Sequence, residues 1–147
     1  MQRTHWLLVE DNSAEAELAR EAAASTGAIQ LTIVRTGREA LSYLRRQGEH
    51  ADAPPAGLVL LDVNLPDLTG REVLAEIRSD PALRRIPVLI MSSSAEEREI
   101  AHFYESGANC YLVKPLHHAD FEAMMQAVTQ FWISVAQLPP PSIDGVR

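Results

Sequence analysis

Leu58-Val59-Leu60-Leu61-Asp62-Val63-Asn64-Leu65-Pro66 is the stretch on which the fold turns. Four apolar residues run without interruption and end at a carboxylate. A short unbroken run of Val and Leu reads as a strand covered on both faces, the signature of a parallel sheet flanked by helices. Asp62 then stands at the carboxyl end of the strand, the edge at which open α/β sheets bind their ligands. Pro66 and Gly70 break the chain just beyond it, so the acid lies on a strand-to-loop transition. An isolated Asp in such a place is usually a turn or cap residue, but other strands of this chain end in polar groups too.

On the amino-terminal side, Trp6 to Val9 is a second apolar run, and it ends in Glu10-Asp11. Asn12 followed by Glu15 reads as a helix start, with a side-chain cap and a carboxylate reaching back to it. Leu18 and the Ala-rich stretch to Ala24 continue that helix to Gly27. Ile29 to Val34 is a β-branched strand, Gly37 to Arg46 a helix, and Gln47 to Gly57 an exposed loop. Beyond the central strand, Gly70 to Ser79 is a helix with Val73, Leu74 and Ile77 inward. Val88 to Met91 is a strand that ends in Ser92-Ser93-Ser94. Glu96 to Ser106 is a helix whose apolar side carries Ile100, Phe103 and Tyr104. Cys110 to Val113 is the fifth strand and ends at Lys114-Pro115, an X-Pro step in a tight loop, where a cis bond is plausible and would aim the Lys inward. His118 to about Leu138 reads as one helix about 30 Å long at about 1.5 Å per residue. The Pro-rich residues 139–147 cannot extend it.

Strands and helices in alternation predict an α/β fold with a doubly wound, five-stranded parallel sheet. The flavodoxin-like strand order 2-1-3-4-5 places the crevice between the strands that end in Glu10-Asp11 and in Asp62. Ser92 and Lys114 arrive at the same edge.

The 147 residues suit one domain. A formal charge of −7 argues against a nucleic-acid partner, which would require a basic face. No apolar run reaches the roughly 20 residues of a membrane span, and the first residues lack the layout of a signal peptide. Cys110 is the single cysteine, so no internal disulfide forms. These features together point to a cytoplasmic protein.

Crowded carboxylates repel one another and call for a cation. An all-oxygen donor set favours a hard ion, Mg2+ above all, with Mn2+ as a substitute. Asp62 is able to attack a phosphoryl group, while an ammonium neutralises charge on the transferring oxygens. His117 and His118 are adjacent, do not share a helix face and are not read as metal ligands. Asp67, Asp80 and Asp120 read as turn or cap residues.

With Glu10-Asp11, Leu-Leu-Asp62-Val-Asn-Leu-Pro, Gly70, Ser92, Tyr111 and Lys114-Pro115 in place, the chain resembles the CheY-like response regulator receiver domains of two-component signalling, over residues 6 to about 131. A narrower set of residues lies mostly outside those motifs: Phe131-Trp132-Ile133-Ser134-Val135 with Leu138-Pro139, the loop before Leu58, and Gly70 to Leu74. These resemble the stand-alone regulators paired with phytochrome-like histidine kinases. The resemblance implies a single-domain response regulator (residues 1–138 with an extended C-terminal helix, then a tail over 139–147) that takes a phosphoryl group from a kinase phosphohistidine onto Asp62. Glu10, Asp11, Asp62 and the main-chain carbonyl of Asn64 would hold Mg2+, and Ser92 and Lys114 would hold the phosphoryl oxygens. Tyr111 would turn inward as Ser92 is drawn toward the phosphate. The protein would be no enzyme beyond its own phosphotransfer and autodephosphorylation, and it would signal through protein contacts. Asn64 and Ser94, two residues after Asp62 and Ser92, would flank the hydrolytic water. A homodimer is expected through Phe131, Trp132, Val135 and Leu138, which prolong the apolar stripe of the last helix and would otherwise be exposed.

Two other readings are weaker. A phosphatase with an Asp nucleophile needs a general acid two residues on, and Asn64 cannot donate that proton. A receiver-like module that is never phosphorylated could lose an acid or the Lys, and this chain keeps them all.

Overall fold

The computed structural model describes residues 4–140. Its elements are β1 (Thr4–Val9), α1 (Ser13–Thr26), β2 (Ile29–Val34), α2 (Gly37–Leu44), β3 (Leu58–Asp62), α3 (Gly70–Ser79), β4 (Val88–Ser92), α4 (Glu97–Glu105), β5 (Cys110–Val113) and α5 (His118–Ser134). The loop between α2 and β3 also holds one short 3-10 turn, Gly48–His50. All strand pairs are parallel, in the order β2-β1-β3-β4-β5.

Alternation along each central strand divides the core in two. Leu7, Val9, Val59, Leu61, Val88 and Ile90 face α2, α3 and α4, where Val73, Leu74, Ile77 and Phe103 meet them. Trp6, Leu8, Leu58, Leu60, Leu89 and Met91 face α1 and α5, against Ala19, Ala22, Phe121 and Met125. Every residue of β3 and β4 is buried, as expected of strands with helices on both faces. The register fixes the rim: Val9 pairs with Leu61, Asp62 with Met91 and Ser92 with Val113. The residues at or just after these strand ends, Glu10, Asp62, Ser92 and Lys114, therefore emerge at one edge.

Two features differ from the sequence reading. The Lys114–Pro115 bond is trans, for there is no cis peptide among the described residues. The last helix also ends sooner than its apolar pattern suggests, at Ser134 rather than Leu138. The residue before a proline is pushed out of the helical region, and Leu138 precedes Pro139. The backbone leaves the helix at Val135, and the N–H groups of Val135 and Ala136 both donate to the Phe131 carbonyl. Leu138 then folds back onto the α1/α5 side of the core, close enough that a Cβ at Gly57 would touch it at 3.5 Å. Most of the tail expected over 139–147 lies outside the described residues. No helix among those described is long and apolar enough to cross a membrane.

Ile77 is fully buried where α3 meets the sheet. Ile77→Ala should lower the unfolding free energy in urea by about 2–5 kcal/mol. A loss under about 1 kcal/mol would contradict this packing.

Candidate functional site

The loops at the carboxyl ends of β1, β3, β4 and β5 enclose a cleft of about 350 Å3 lined by Glu10, Asp11, Asn12, Glu15, Asp62, Asn64, Ser93 and Lys114. Glu10 and Asp62 are almost completely buried, and Asp11 and Asn64 are exposed. Three features hold Asp62 at the base. It ends the buried strand β3. The N–H of Val63 donates to Met91 O of β4. Gly70 lets the start of α3 approach closely, since a Cβ there would lie 3.0 Å from the Asp62 carbonyl and 2.9 Å from Val63 Cα.

The centre of the cleft is one ammonium. Lys114 Nζ lies 2.7 Å from Asp62 Oδ1, 2.8 Å from Glu15 Oε2 and 3.0 Å from Glu10 Oε1. Lys114 N donates to Ser92 O at 2.7 Å, so the end of β5 is tied to the end of β4. Burial alone would lower the Lys114 pKa, but the bonds to Asp62 and Glu15 and the charges of Glu10 and Asp62 outweigh it and hold the ammonium firmly protonated. Glu10 responds in the opposite sense. Burial, then the Asp62 charge, push its carboxyl up to about 7, against the pull of Lys114 and the Asn12 N–H. Asp11 lies at the exposed rim, where its carbonyl and the Ser13 hydroxyl receive Arg35.

A second network lies beside the cleft. Ser92 is buried and does not line it. Its hydroxyl points to Glu99 Oε2 at 3.5 Å and accepts from Ser94 N at 3.1 Å. Tyr111 Oη lies 2.8 Å from Glu99 Oε2 and 2.9 Å from Ser94 O, two acceptors for its single O–H, and its ring is tilted against Phe103. Burial and the Glu99 carboxylate raise the Tyr111 pKa. Tyr111 is thus held in place by two acceptors that owe nothing to a phosphate. Ser94 turns its hydroxyl away from the cleft, toward the N–H of Glu96 at the start of α4, so of the two residues expected to flank a hydrolytic water only Asn64 lines the cavity.

Sequence reasoning missed two carboxylates. Glu15 was expected to cap its own helix. Asn12 does receive Glu15 N, but the Glu15 carboxylate turns away to Lys114. The spacing from Asp11 to Glu15, one helical turn, was the available signal. Glu99 had none, because only the path of the β4–α4 connection brings it over Ser92. A full capping box forms instead at Thr69 and Glu72. Asp67 is a cap as expected, though for a distant helix: its carboxylate accepts from Gly37 N and Arg38 N at the start of α2.

The expected interface residues are split. Phe131 and Val135 are exposed, at 49% and 71%, whereas Trp132 and Leu138 pack partly against the core. Phe131 and Trp132 border an apolar hollow of about 490 Å3 with Leu89, Cys110, Ala127 and Val128.

Glu10, Asp11 and Asp62 bring carboxylate oxygens to one cleft, the donor chemistry that suits a hard divalent cation. Known proteins resemble the chain as a whole. Residues 6–126 match the response regulator receiver domain. The response regulator Rcp1 of a Synechocystis species is 42% identical over 134 residues, 90% of this chain and 91% of that protein. Among solved structures, the phosphorylated cyanobacterial phytochrome response regulator RcpA is 45% identical with a TM-score of 0.89, over 94% of this chain and 99% of that one. The Mn2+-bound form of Rcp1 is 40% identical with the same score, over 93% and 99%.

A carboxyl whose pKa is higher folded than unfolded binds extra protons in the folded state between the two values, so its contribution to stability is lost as pH rises across that window. For Glu10 the window runs from 4.5 to about 7. Relative to Glu10→Gln, the metal-free wild type should lose stability over that range, by at most about 3 kcal/mol at about 1.4 kcal/mol per pH unit. A flat or rising difference in urea unfolding across those pH values would contradict the assignment.

Proposed function

The chain belongs to the response regulator receiver family, and from that premise we propose that Asp62 is its phospho-acceptor, loaded by a histidine kinase in a divalent-cation-dependent reaction. The observation that carries the proposal is the 2.7 Å contact between Asp62 Oδ1 and Lys114 Nζ at the base of an acidic cleft. Asp62 is almost completely buried and lines that cleft. A lone pair of its oxygen forms the new O–P bond while the P–N bond of a phosphohistidine breaks and leaves its electron pair on the imidazole. Lys114 then passes one N–H from Asp62 to a phosphoryl oxygen, and Ser92 turns its hydroxyl from Glu99 to another. Glu10, Asp11, Asp62 and the Asn64 carbonyl are the residues to hold Mg2+, or Mn2+ in its place. The cation would neutralise charge on the transferring oxygens. Asn64 is small, supplies no base and leaves the hydrolytic path open, which suits a slow to moderate loss of the phosphoryl group. The protein is no enzyme in any wider sense.

The likeness to RcpA, a phytochrome response regulator, supports a phytochrome-type histidine kinase as the donor, and the single cysteine suits a cytoplasmic setting. Output runs through protein contacts, beginning with a second copy of the chain. Phe131, on the last turn of α5 beside an apolar hollow, and Val135 just beyond that turn are exposed and favour a homodimer at this end of the helix.

Asp62→Asn should abolish labelling by acetyl phosphate or by a phosphorylated kinase, because an amide is no nucleophile. A variant that labels as well as the parent would refute the assignment. Light scattering at tens of micromolar should find a dimer that Phe131→Glu with Val135→Glu converts to monomer. A monomeric parent, or a variant that stays dimeric, would refute the interface.

A further inference from the structure

We infer that Glu15 is a positioning residue for phosphoryl acceptance, one that keeps the Lys114 ammonium at the cleft after its other carboxylate partners are given up. The inference rests on the phospho-acceptor reading of Asp62.

An ammonium has three N–H groups, and Lys114 has three carboxylates within 3.0 Å. All of its donors are therefore engaged at rest. Two of those partners are needed elsewhere during the reaction. Asp62 gives up its free carboxylate when it becomes an acyl phosphate, and Glu10 belongs to the proposed cation set. Glu15 stays free of both demands, because among the described residues its carboxylate bonds to Lys114 and nothing else. It is also held from behind. The Glu15 N–H donates to Asn12 Oδ1 at 3.0 Å, which fixes the first turn of α1, and Glu15 lines the cleft directly across from β5. Its side chain is 22% exposed against 7% for Asp62, so it can follow the ammonium by the small distance a phosphoryl group requires.

Without Glu15, the four-carbon Lys stem settles on Glu10 and Asp62 alone, the two groups that the reaction needs free. With Glu15, one N–H stays anchored while another turns to the phosphoryl oxygen. The contribution is local and acts through Lys114, so it should vanish when Lys114 is absent. A merely structural role in α1, or a general effect of charge on an incoming anion, would survive that loss.

The experiment is a double-mutant cycle on the rate of phosphorylation by acetyl phosphate at saturating Mg2+, with far-UV circular dichroism on each variant. Glu15→Gln should slow labelling about 5- to 10-fold, within the range for coupled contacting residues, and should weaken fluoroberyllate binding in proportion. In a Lys114→Ala background, where labelling is slow and is followed with radioactive acetyl phosphate, Glu15→Gln should change nothing further. Labelling of Glu15→Gln as fast as the parent or faster, or an equal loss in the Lys114→Ala background, overturns the inference. In either case normal labelling of the parent leaves the Asp62 reading intact. A parent that takes up no phosphoryl group overturns that reading, and the inference with it.

Discussion

Everything at the functional edge depends on one ammonium compensating three carboxylates. Glu10 and Asp62 are almost fully buried, and charges removed from water that far cost several kcal/mol each unless they are paired. The sheet leaves them little choice. β1 and β3 are adjacent and in register, so the residues that follow Val9 and Leu61 must emerge side by side. β5 lies two strands from β3, and Lys114 bridges the gap because its main-chain N–H is fixed to Ser92 O and its stem is long enough to reach. Burial first, and then the repulsion that remains from Asp62, show in Glu10, held up to about 7 despite the nearby ammonium.

The fold was legible in the sequence to an unusual degree because its strands are short apolar runs that stop at polar residues. The run at Leu58 to Leu61 forecast a strand buried on both faces, and the forecast order of the sheet is the order found. Glu10, Asp62, Ser92 and Lys114 could be placed at one rim from their positions at strand ends alone. What escaped was set by side chains crossing between elements. Asn12 and Glu15 have the spacing of a capping box, yet a Glu in a first turn has two acceptable targets, and an ammonium outcompetes a backbone N–H. The end of α5 escaped because hydrophobic periodicity continues past Ser134. Leu138 instead packs partly against the core by folding back, while Val135 stays exposed, so the apolar spacing of a helix is kept but not its path.

The two networks of the site share a boundary at Ser92. On one side, Lys114 takes up the charge of the cleft. On the other, Glu99 receives the Tyr111 phenol and the weaker approach of the Ser92 hydroxyl. Glu99 lies in the first turn of α4, so whatever draws the Ser92 hydroxyl away from Glu99 alters a contact of that helix as well. Tyr111 shares the Glu99 carboxylate with Ser92, so the same contact ties α4 to the end of β5.

The central claim is that Lys114 is the counter-charge on which the metal-free edge depends, and that a divalent cation can take its place. Urea unfolding of Lys114→Met at pH 8, with and without Mg2+, tests it most directly. The account predicts a loss of about 3–5 kcal/mol without the cation, the usual cost of leaving a buried ion pair uncompensated, and recovery of most of that loss when Mg2+ is added. A metal-free variant as stable as the wild type would contradict it.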